Sequence, residues 1–324
     1  MTRFSVLGCG AWATTVAKML AENGHHVSLW CHRSAYVDTI NTTRTNTLSL
    51  PGILLPDTLS PTLDLQCIET SDAVILGVPS IYLGPLFLQL TRLQRRPILS
   101  LIKGVLQRPD WQLSHYFATH FEAPYALLSG PNLAKEIATG CPAASVVASA
   151  HLDIATFFQR HLSRPYFRIY TSDDVCGVEL GGILKNVMAI AAGICDGHQW
   201  GLNAKASLLT RALKEMTTFG AHFGAKTDTF YGLSGLGDLM ATAHSEASRN
   251  WQIGHKIANG LPLNAVSLGS AIPEGVRTTL LLKDVAKENN LHLPILSEVC
   301  SILEGKSRPK DSLSALMGRA LTTE

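Results

Sequence analysis

The stretch Phe4-Ser-Val-Leu-Gly-Cys-Gly-Ala-Trp-Ala13 decides the fold. Phe4–Leu7 is a short apolar run with the look of a buried strand, and it ends in a turn containing Gly8 and Gly10. A helical pattern follows (Val16, Ala17, Met19, Leu20) and stops at Gly24; Val27-Ser-Leu-Trp30 then reads as a second strand. A strand, a glycine turn, a helix and a strand within about thirty residues form the setting that a dinucleotide-binding fingerprint requires. The first glycine permits the tight turn, the second lets backbone approach a pyrophosphate, and the helix N-terminus offers free N–H groups and a positive dipole end. The third position of the Gly-x-Gly-x-x-Gly pattern is Ala13, which adds one methyl to the helix–strand contact.

The residue that closes the second strand bears on cofactor choice. A carboxylate there accepts from a ribose hydroxyl and repels a 2′-phosphate. This chain has Cys31-His32-Arg33 and no carboxylate before Asp38. A guanidinium suits a phosphate, so NADP is expected to be accepted along with NAD; the plain alternative for Arg33 is a solvated loop residue.

Residues 38–71 show no clear period and are punctuated by Pro51-Gly52, Pro56-Asp57 and Ser60-Pro61, so a loop-rich excursion is expected there. Regularity returns with strand-like runs at Asp72–Pro79, Pro97–Ile102, Tyr125–Leu128, Ala143–Ala148 and Tyr166–Tyr170, with helical stretches between. Alternating strands and helices predict an α/β fold with a doubly wound, Rossmann-type parallel sheet. Ligands in such sheets lie beyond the strand C-ends, where the Gly8 turn, Val78-Pro79, Lys103 and the Gly130 loop all fall.

After Tyr170 the strand signals fade, and helical patterns run through Asn203–Phe223, Trp251–Asn259, Gly275–Glu288 and Leu293–Leu303. The expected division is a Rossmann domain over 1–170 and an all-helical C-terminal domain over 171–324. That second part opens, after N-cap candidates in Thr171-Ser-Asp-Asp174, on Gly177-Val-Glu-Leu-Gly-Gly-Ile-Leu-Lys-Asn-Val, continuing to Gly197. From Leu180 to Cys195 the polar side chains are Lys185 and Asn186 alone. A helix apolar all round belongs in a core, where an unpaired ammonium is costly. Lys185 therefore either snorkels to water or lines a functional cleft.

The 324 residues suffice for two domains, and at 46% hydrophobic and 16% charged they can fill a large core. Lys plus Arg number 27 against 25 Asp plus Glu, with no basic run, which argues against a nucleic-acid partner. The apolar stretches fall short of the ~20 residues that span a bilayer, so membrane insertion is not expected. Seven scattered cysteines without a Cys-x-x-Cys pair fit a reducing cytoplasm, and the twelve histidines show no metal-ligand spacing. No metal site is expected.

A nucleotide domain joined to a helical domain with a lysine in its central helix suggests a dehydrogenase. A ketone that accepts hydride develops alkoxide character, and a lysine whose pKa is lowered by burial can supply the proton and take it back. Lys103 could be a second cation near the same oxygen. Arg249, flanked by Ser248 and Asn250, suits an anionic group; the alternative for Ser248-Arg249-Asn250 is an ordinary helix cap with a solvated arginine.

Taken together, Gly8-Cys-Gly-Ala-Trp12, Leu29-Trp-Cys-His32, Lys103-Gly104 and Ser129-Gly-Pro-Asn-Leu-Ala-Lys-Glu136 resemble bacterial NAD(P)-dependent glycerol-3-phosphate dehydrogenases. So do Leu180-Gly-Gly-Ile-Leu-Lys-Asn-Val187, Gly235-Leu-Gly-Asp238, Ser248-Arg-Asn250 and Pro273-Glu-Gly275. The order and spacing follow that family to about residue 305. The resemblance implies reversible reduction of dihydroxyacetone phosphate to sn-glycerol 3-phosphate, the backbone precursor of phospholipids. It implies Lys185 as catalytic proton donor and acceptor. Lys103, Gly130, Asn132, Lys185, Asp238, Ser248, Arg249 and Asn250 would bind substrate. Gly8, Gly10, Ala11, Trp12, His32, Arg33, Lys103, Ala134, Arg249, Ile272 and Glu274 would hold the cofactor.

Three positions depart from that family: Asn132 stands where a small hydroxyl residue is usual, Ala13 replaces the third glycine, and Lys103-Gly-Val-Leu106 lacks an acidic residue just after the lysine. The partner expected is a phosphorylated small molecule, and a homodimer is left open. A 3-hydroxyisobutyrate or 6-phosphogluconate type dehydrogenase is the rival enzymatic reading, and a non-catalytic NADPH-binding regulator the rival of another class.

Overall fold

The computed structural model describes residues 1–90, 96–261, 274–321 and 323. It divides into two compact units, Met1–Glu179 and Leu180–Glu324. Composition changes near residue 171, whereas the division falls between Glu179 and Leu180, inside the long helix Val175–Gly197.

The first unit is built on β1 (Arg3–Leu7), α1 (Ala11–Glu22) and β2 (His26–Trp30). They are followed by α2 (Ser34–Thr43), the short pair β3 (Thr45–Asn46) and β4 (Leu50–Leu54), and β5 (Leu59–Thr62). Next come β6 (Ala73–Leu76), α3 (Leu83–Leu90), β7 (Ile98–Ser100), α4 (Leu113–His120) and β8 (Tyr125–Ser129). The unit closes with α5 (Ala134–Ala138), β9 (Ala143–Ser149), α6 (Leu152–Leu162) and β10 (Phe167–Ser172). The eight-stranded sheet runs β10-β9-β8-β7-β6-β1-β2-β5. From β5 to β8 all pairs are parallel, and the chain winds outward in both directions from β1, with the switch point between β1 and β6.

Alternation within each strand explains why the sheet carries helices on both faces. Phe4, Val6, Ala73 and Ile75 pack into one core with Val16 and Leu20 of α1 and Phe158 of α6. Their neighbours Leu7, Val74 and Leu76 pack into another with Leu83 of α3 and Phe117 of α4. Strands buried on both sides read as continuous apolar runs.

Three features differ from the expectation. β9 pairs antiparallel with β8 and parallel with β10, so the sheet is mostly, not wholly, parallel. Residues 38–71 are more regular than their composition suggests. The hydroxyls of Thr39, Thr42 and Thr43 donate to the carbonyls of Ala35, Asp38 and Thr39 at 2.6, 2.7 and 2.8 Å, which lets a threonine-rich segment stay helical in α2. Pro61 lies in β5, at the sheet edge, where a missing N–H leaves no inner ladder bond unmade.

The third is α7 (Val175–Gly197): its 23 residues are long and apolar enough to cross a membrane, longer than the sequence reading allowed. All of its apolar window is buried inside the protein, as a core helix requires. Asp174 caps it, accepting from the Gly177 amide at 2.9 Å.

The second unit is helical: after Ser172 no strand occurs among the described residues. Beyond α7 come α8 (Leu202–His222), α9 (Asp238–Ala243), α10 (Arg249–Ala258), α11 (Glu274–Glu288), α12 (Pro294–Leu303) and α13 (Pro309–Met317). Helices α7 and α10 touch backbone to backbone: a Cβ on Gly193 would fall 2.0 Å from the Trp251 carbonyl oxygen, and one on Gly254 2.0 Å from that of Ile190. Asp196 reinforces the crossing by accepting from Lys205 Nζ and Trp251 Nε1, each at 2.7 Å. The buried Glu215 of α8 accepts from the amides of Ile295 and Leu296 at 2.6 and 3.1 Å, capping the start of α12 from a distance.

Candidate active site

In the first unit, β1, β2, β6, β7 and β8 are parallel, so the Gly8 turn, Cys31-His32-Arg33, Gly77-Val78-Pro79, Lys103 and Gly130 all follow strand ends on one edge. Gly8 has φ +117°, and a Cβ there would lie 2.7 Å from the Gly77 carbonyl oxygen across the switch point. Gly10 is the N-cap of α1; no side chain caps the helix, and its first turn holds no acidic residue. A Cβ at Gly10 would meet no atom within 4 Å. The end of α1 therefore offers open space, uncommitted amides of Ala11 and Trp12 and a positive dipole, which fit a dinucleotide pyrophosphate. Ala13 is accommodated because its methyl occupies the space a Gly77 side chain would need, at 2.5 Å from that Cβ position.

Two polar side chains hold this end in place. Asn46, buried, donates through Nδ2 to the Cys9 carbonyl at 2.8 Å and to Thr14 Oγ1 at 2.9 Å, bracing the glycine turn. Thr15 Oγ1 donates to the Ala134 carbonyl at 3.1 Å, tying α1 to α5. At the end of β2, the Cys31 side chain is buried, leaving His32 and Arg33 as the exposed side chains. Although the residue as a whole is exposed, partial desolvation of the ring beside the strand end, then the charge of Arg33, lowers the His32 imidazole below its usual pKa. No acidic residue lies in the first turn of α2, so nothing there opposes a 2′-phosphate.

Lys103 Nζ donates to the Gly130 carbonyl at 2.8 Å, joining the ends of β7 and β8. Asn132 follows two residues on, and its Oδ1 accepts from the Ser145 hydroxyl of β9. Reversal of β9 is what brings Ser145 here, because its first residues run beside the end of β8, with Val146 opposite Ser129.

In the second unit, Lys185 is buried and does not snorkel. Its Nζ donates to Thr242 Oγ1 at 2.7 Å and lies 3.1 Å from Asp238 Oδ1, while Thr242 Oγ1 donates to that same oxygen at 3.2 Å. The cost of burying the ammonium is thus offset by a carboxylate that is itself only 2% exposed. Asp238 and Thr242 are one turn apart on α9, which is preceded by a π-helical turn over Leu233–Gly237. Such turns are frequent at functional sites because they redirect the side chains after them. Next to Lys185, Asn186 accepts from Asn250 Nδ2 at 2.8 Å, so the lysine and the start of α10 are linked. Ser248 is the N-cap of α10, accepting from the Trp251 amide at 3.3 Å, and Arg249 beside it is exposed. The cap reading and the anion-site reading are compatible: a capped helix start with an exposed arginine is itself suited to an anion. Glu274 opens α11; Ile272 lies outside the described residues.

Sequence reasoning missed Asn46, Ser145 and Thr242. The i, i+4 spacing from Asp238 was the available signal for Thr242. Asn46 lies 37 residues from Cys9, and nothing local announces its role.

Comparison with known proteins accords with this arrangement. A family model described as the N-terminus of NAD-dependent glycerol-3-phosphate dehydrogenase matches residues 3–155, and the corresponding C-terminal model matches 174–314. The glycerol-3-phosphate dehydrogenase [NAD(P)+] of Geobacillus kaustophilus is 38% identical, over 100% of this chain and 96% of that protein. That of Deinococcus radiodurans is 43% identical over 97% and 94%. The crystal structure of glycerol-3-phosphate dehydrogenase from Coxiella burnetii superposes with a TM-score of 0.92 at 33% identity, covering 98% of this chain and 99% of that one. The chain belongs to the NAD-dependent glycerol-3-phosphate dehydrogenase family.

Proposed function

We propose that this protein catalyses the reversible, NAD(P)H-dependent reduction of dihydroxyacetone phosphate to sn-glycerol 3-phosphate, supplying the glycerol backbone of phospholipids. The observation that carries the reading is Lys185, an ammonium buried in an apolar helix and held by Thr242 and Asp238. A buried charge so placed needs a task beyond stability, since a buried ion pair seldom outperforms an apolar core.

NADPH or NADH, when bound, supplies the hydride. Lys185 Nζ gives a proton to the substrate oxygen as it becomes a hydroxyl, and recovers it in the reverse direction. Asp238 and Thr242 hold the ammonium in one orientation. Lys103 adds a second positive charge at the substrate, and Gly130 and Asn132 line it. Ser248, Arg249 and Asn250 take the phosphate. The α1 amides of Ala11 and Trp12, with Gly8 and Gly10, would hold the pyrophosphate, and His32 and Arg33 would hold the adenosine end. Ala134, Ile272 and Glu274 complete cofactor binding as the family resemblance implies. The seven cysteines, none of them in a disulfide, fit a cytoplasmic setting.

The test is oxidation of NADPH and of NADH with dihydroxyacetone phosphate, followed by absorbance, with Lys185→Ala beside the wild type. Wild type should turn over both cofactors, and the variant should lose at least ~100-fold in kcat, the scale of a lost general acid. An unchanged kcat in a Lys185→Ala protein with native circular dichroism refutes the mechanism.

A further inference from the structure

The Asn132 amide has two ends, and only one of them is satisfied within the protein. Oδ1 accepts from the Ser145 hydroxyl. Nδ2 is buried and has no hydrogen-bond partner. An amide NH2 shut away from water without an acceptor is unfavourable by about 1–3 kcal/mol, so such a group calls for a reason. Ser145 is wholly buried and has no freedom to turn away. It also sets the shape of the loop: a Cβ on Gly130, which has φ +145°, would lie 2.9 Å from Ser145 Oγ and 3.0 Å from its Cα. The Gly130–Asn132 loop is therefore laid directly against Ser145, and the carbonyl of that same Gly130 receives Lys103 Nζ.

The two ends of an asparagine amide are nearly equal in shape and opposite in hydrogen-bonding character. Without a neighbour that distinguishes them, Asn132 could present either a donor or an acceptor. A serine hydroxyl can donate or accept; here the Ser145 hydroxyl donates to Oδ1, which leaves Nδ2 as the end without a partner in the protein. We propose that Ser145 is a positioning residue for the reductase reaction: it holds the Asn132 amide so that Nδ2 donates to an oxygen of the bound phosphorylated substrate. The inference rests on the reading of Gly130–Asn132 as a substrate loop. With Oδ1 engaged, Asn132 offers the substrate a donor, as Lys103 does. Such donors match acceptor-only oxygens, a ketone carbonyl or a phosphate oxygen, and a substrate hydroxyl meets them only as an acceptor. The arrangement also gives this chain's Asn132, in place of a small hydroxyl residue, a defined direction.

The test is a double-mutant cycle on the full-length enzyme with Ser145→Ala, Asn132→Ala and the pair. Steady-state kinetics with dihydroxyacetone phosphate would be read alongside NADPH titration by fluorescence. Ser145→Ala should raise KM for dihydroxyacetone phosphate about tenfold, the scale of one lost hydrogen bond, with kcat changed less than threefold and the NADPH dissociation constant held. In the Asn132→Ala background the same change should have no further effect on KM, because Ser145 then has nothing to orient. Additive effects of the two substitutions overturn the proposal, as does a Ser145→Ala enzyme with wild-type KM or one whose loss is equal for substrate and NADPH. If Asn132→Ala itself leaves both KM and kcat for dihydroxyacetone phosphate unchanged, the substrate-loop reading fails instead. A Ser145→Ala chain that does not fold would be replaced by Ser145→Cys, whose weaker S–H donor should give a partial rise in KM that again vanishes without Asn132.

Discussion

Replacing Gly77 with alanine should damage the enzyme, and replacing Ala13 with glycine should repair it. The backbone of Gly77 lies outside the left-handed region, so a side chain there is not forbidden by φ. The obstacle is a single atom: the new Cβ would sit 2.5 Å from the Ala13 Cβ, while its next neighbours, Ala13 Cα and the Leu7 oxygen, stand at ordinary distances of 3.4 and 3.5 Å. Two methyl carbons need about 3.5–4.0 Å, so β6 and α1 must part by roughly 1 Å at the switch point. Overpacking of this kind costs about 1–3 kcal/mol, and the shift falls on the amides expected to face the pyrophosphate. Ala13→Gly alone should cost about 1 kcal/mol in helix propensity. The double variant should recover most of the packing loss, leaving a coupling of about 1–3 kcal/mol. Urea unfolding gives the stability of all four proteins, and NADPH fluorescence titration gives the dissociation constants. A neutral Gly77→Ala, or a double variant no better than the sum of the singles, refutes the account of why alanine is tolerated at the third fingerprint position.

Arg33→Asp should weaken NADPH binding about tenfold or more while sparing NADH, because it removes a guanidinium and adds a carboxylate opposite the 2′-phosphate; equal losses for both cofactors would take Arg33 out of that site. Burial pushes the Glu215 carboxyl up to about 7 despite two amide donors. Its folded pKa exceeds the unfolded one, so the folded state holds the extra proton between about pH 4.5 and 7, and stability from this group is lost as pH rises through that window. The effect should reach up to about 3 kcal/mol, and the urea midpoint of wild type should fall more steeply from pH 5 to 7.5 than that of Glu215→Gln. Parallel slopes would contradict it.

Much of this architecture was legible because its causes are local. Buried parallel strands leave apolar runs, as at Ala73–Leu76, and a glycine turn between strand and helix marks the nucleotide end. Lys185 stood out because an ammonium in an apolar helix breaks the surrounding pattern. What was hidden depends on partners distant in sequence. The direction of β9 leaves no mark in Ala143–Ser149, since parallel and antiparallel strands alternate alike. Helix α2 was masked by threonines whose helical hydrogen bonds are invisible in composition, and β5 by a proline that an edge position tolerates. Whether Lys185 snorkels or lines a cleft was left open, because its carboxylate lies 53 positions later, on a helix whose register a sequence pattern does not specify.

The contact of α7 with α10 bears on how this enzyme can change over evolutionary time. Gly193 and Gly254 bring the two backbones together so closely that no side chain fits at either point. The spacing between the helix bearing Lys185 and the helix beginning at Arg249 is thus set by main-chain atoms, which are the same in every sequence. Aliphatic residues elsewhere on α7 can drift and repack, each exchange absorbed by its neighbours, without altering that spacing. Lineages can therefore retune stability through the core while Lys185 and Asn250, which bonds Asn186, keep their separation.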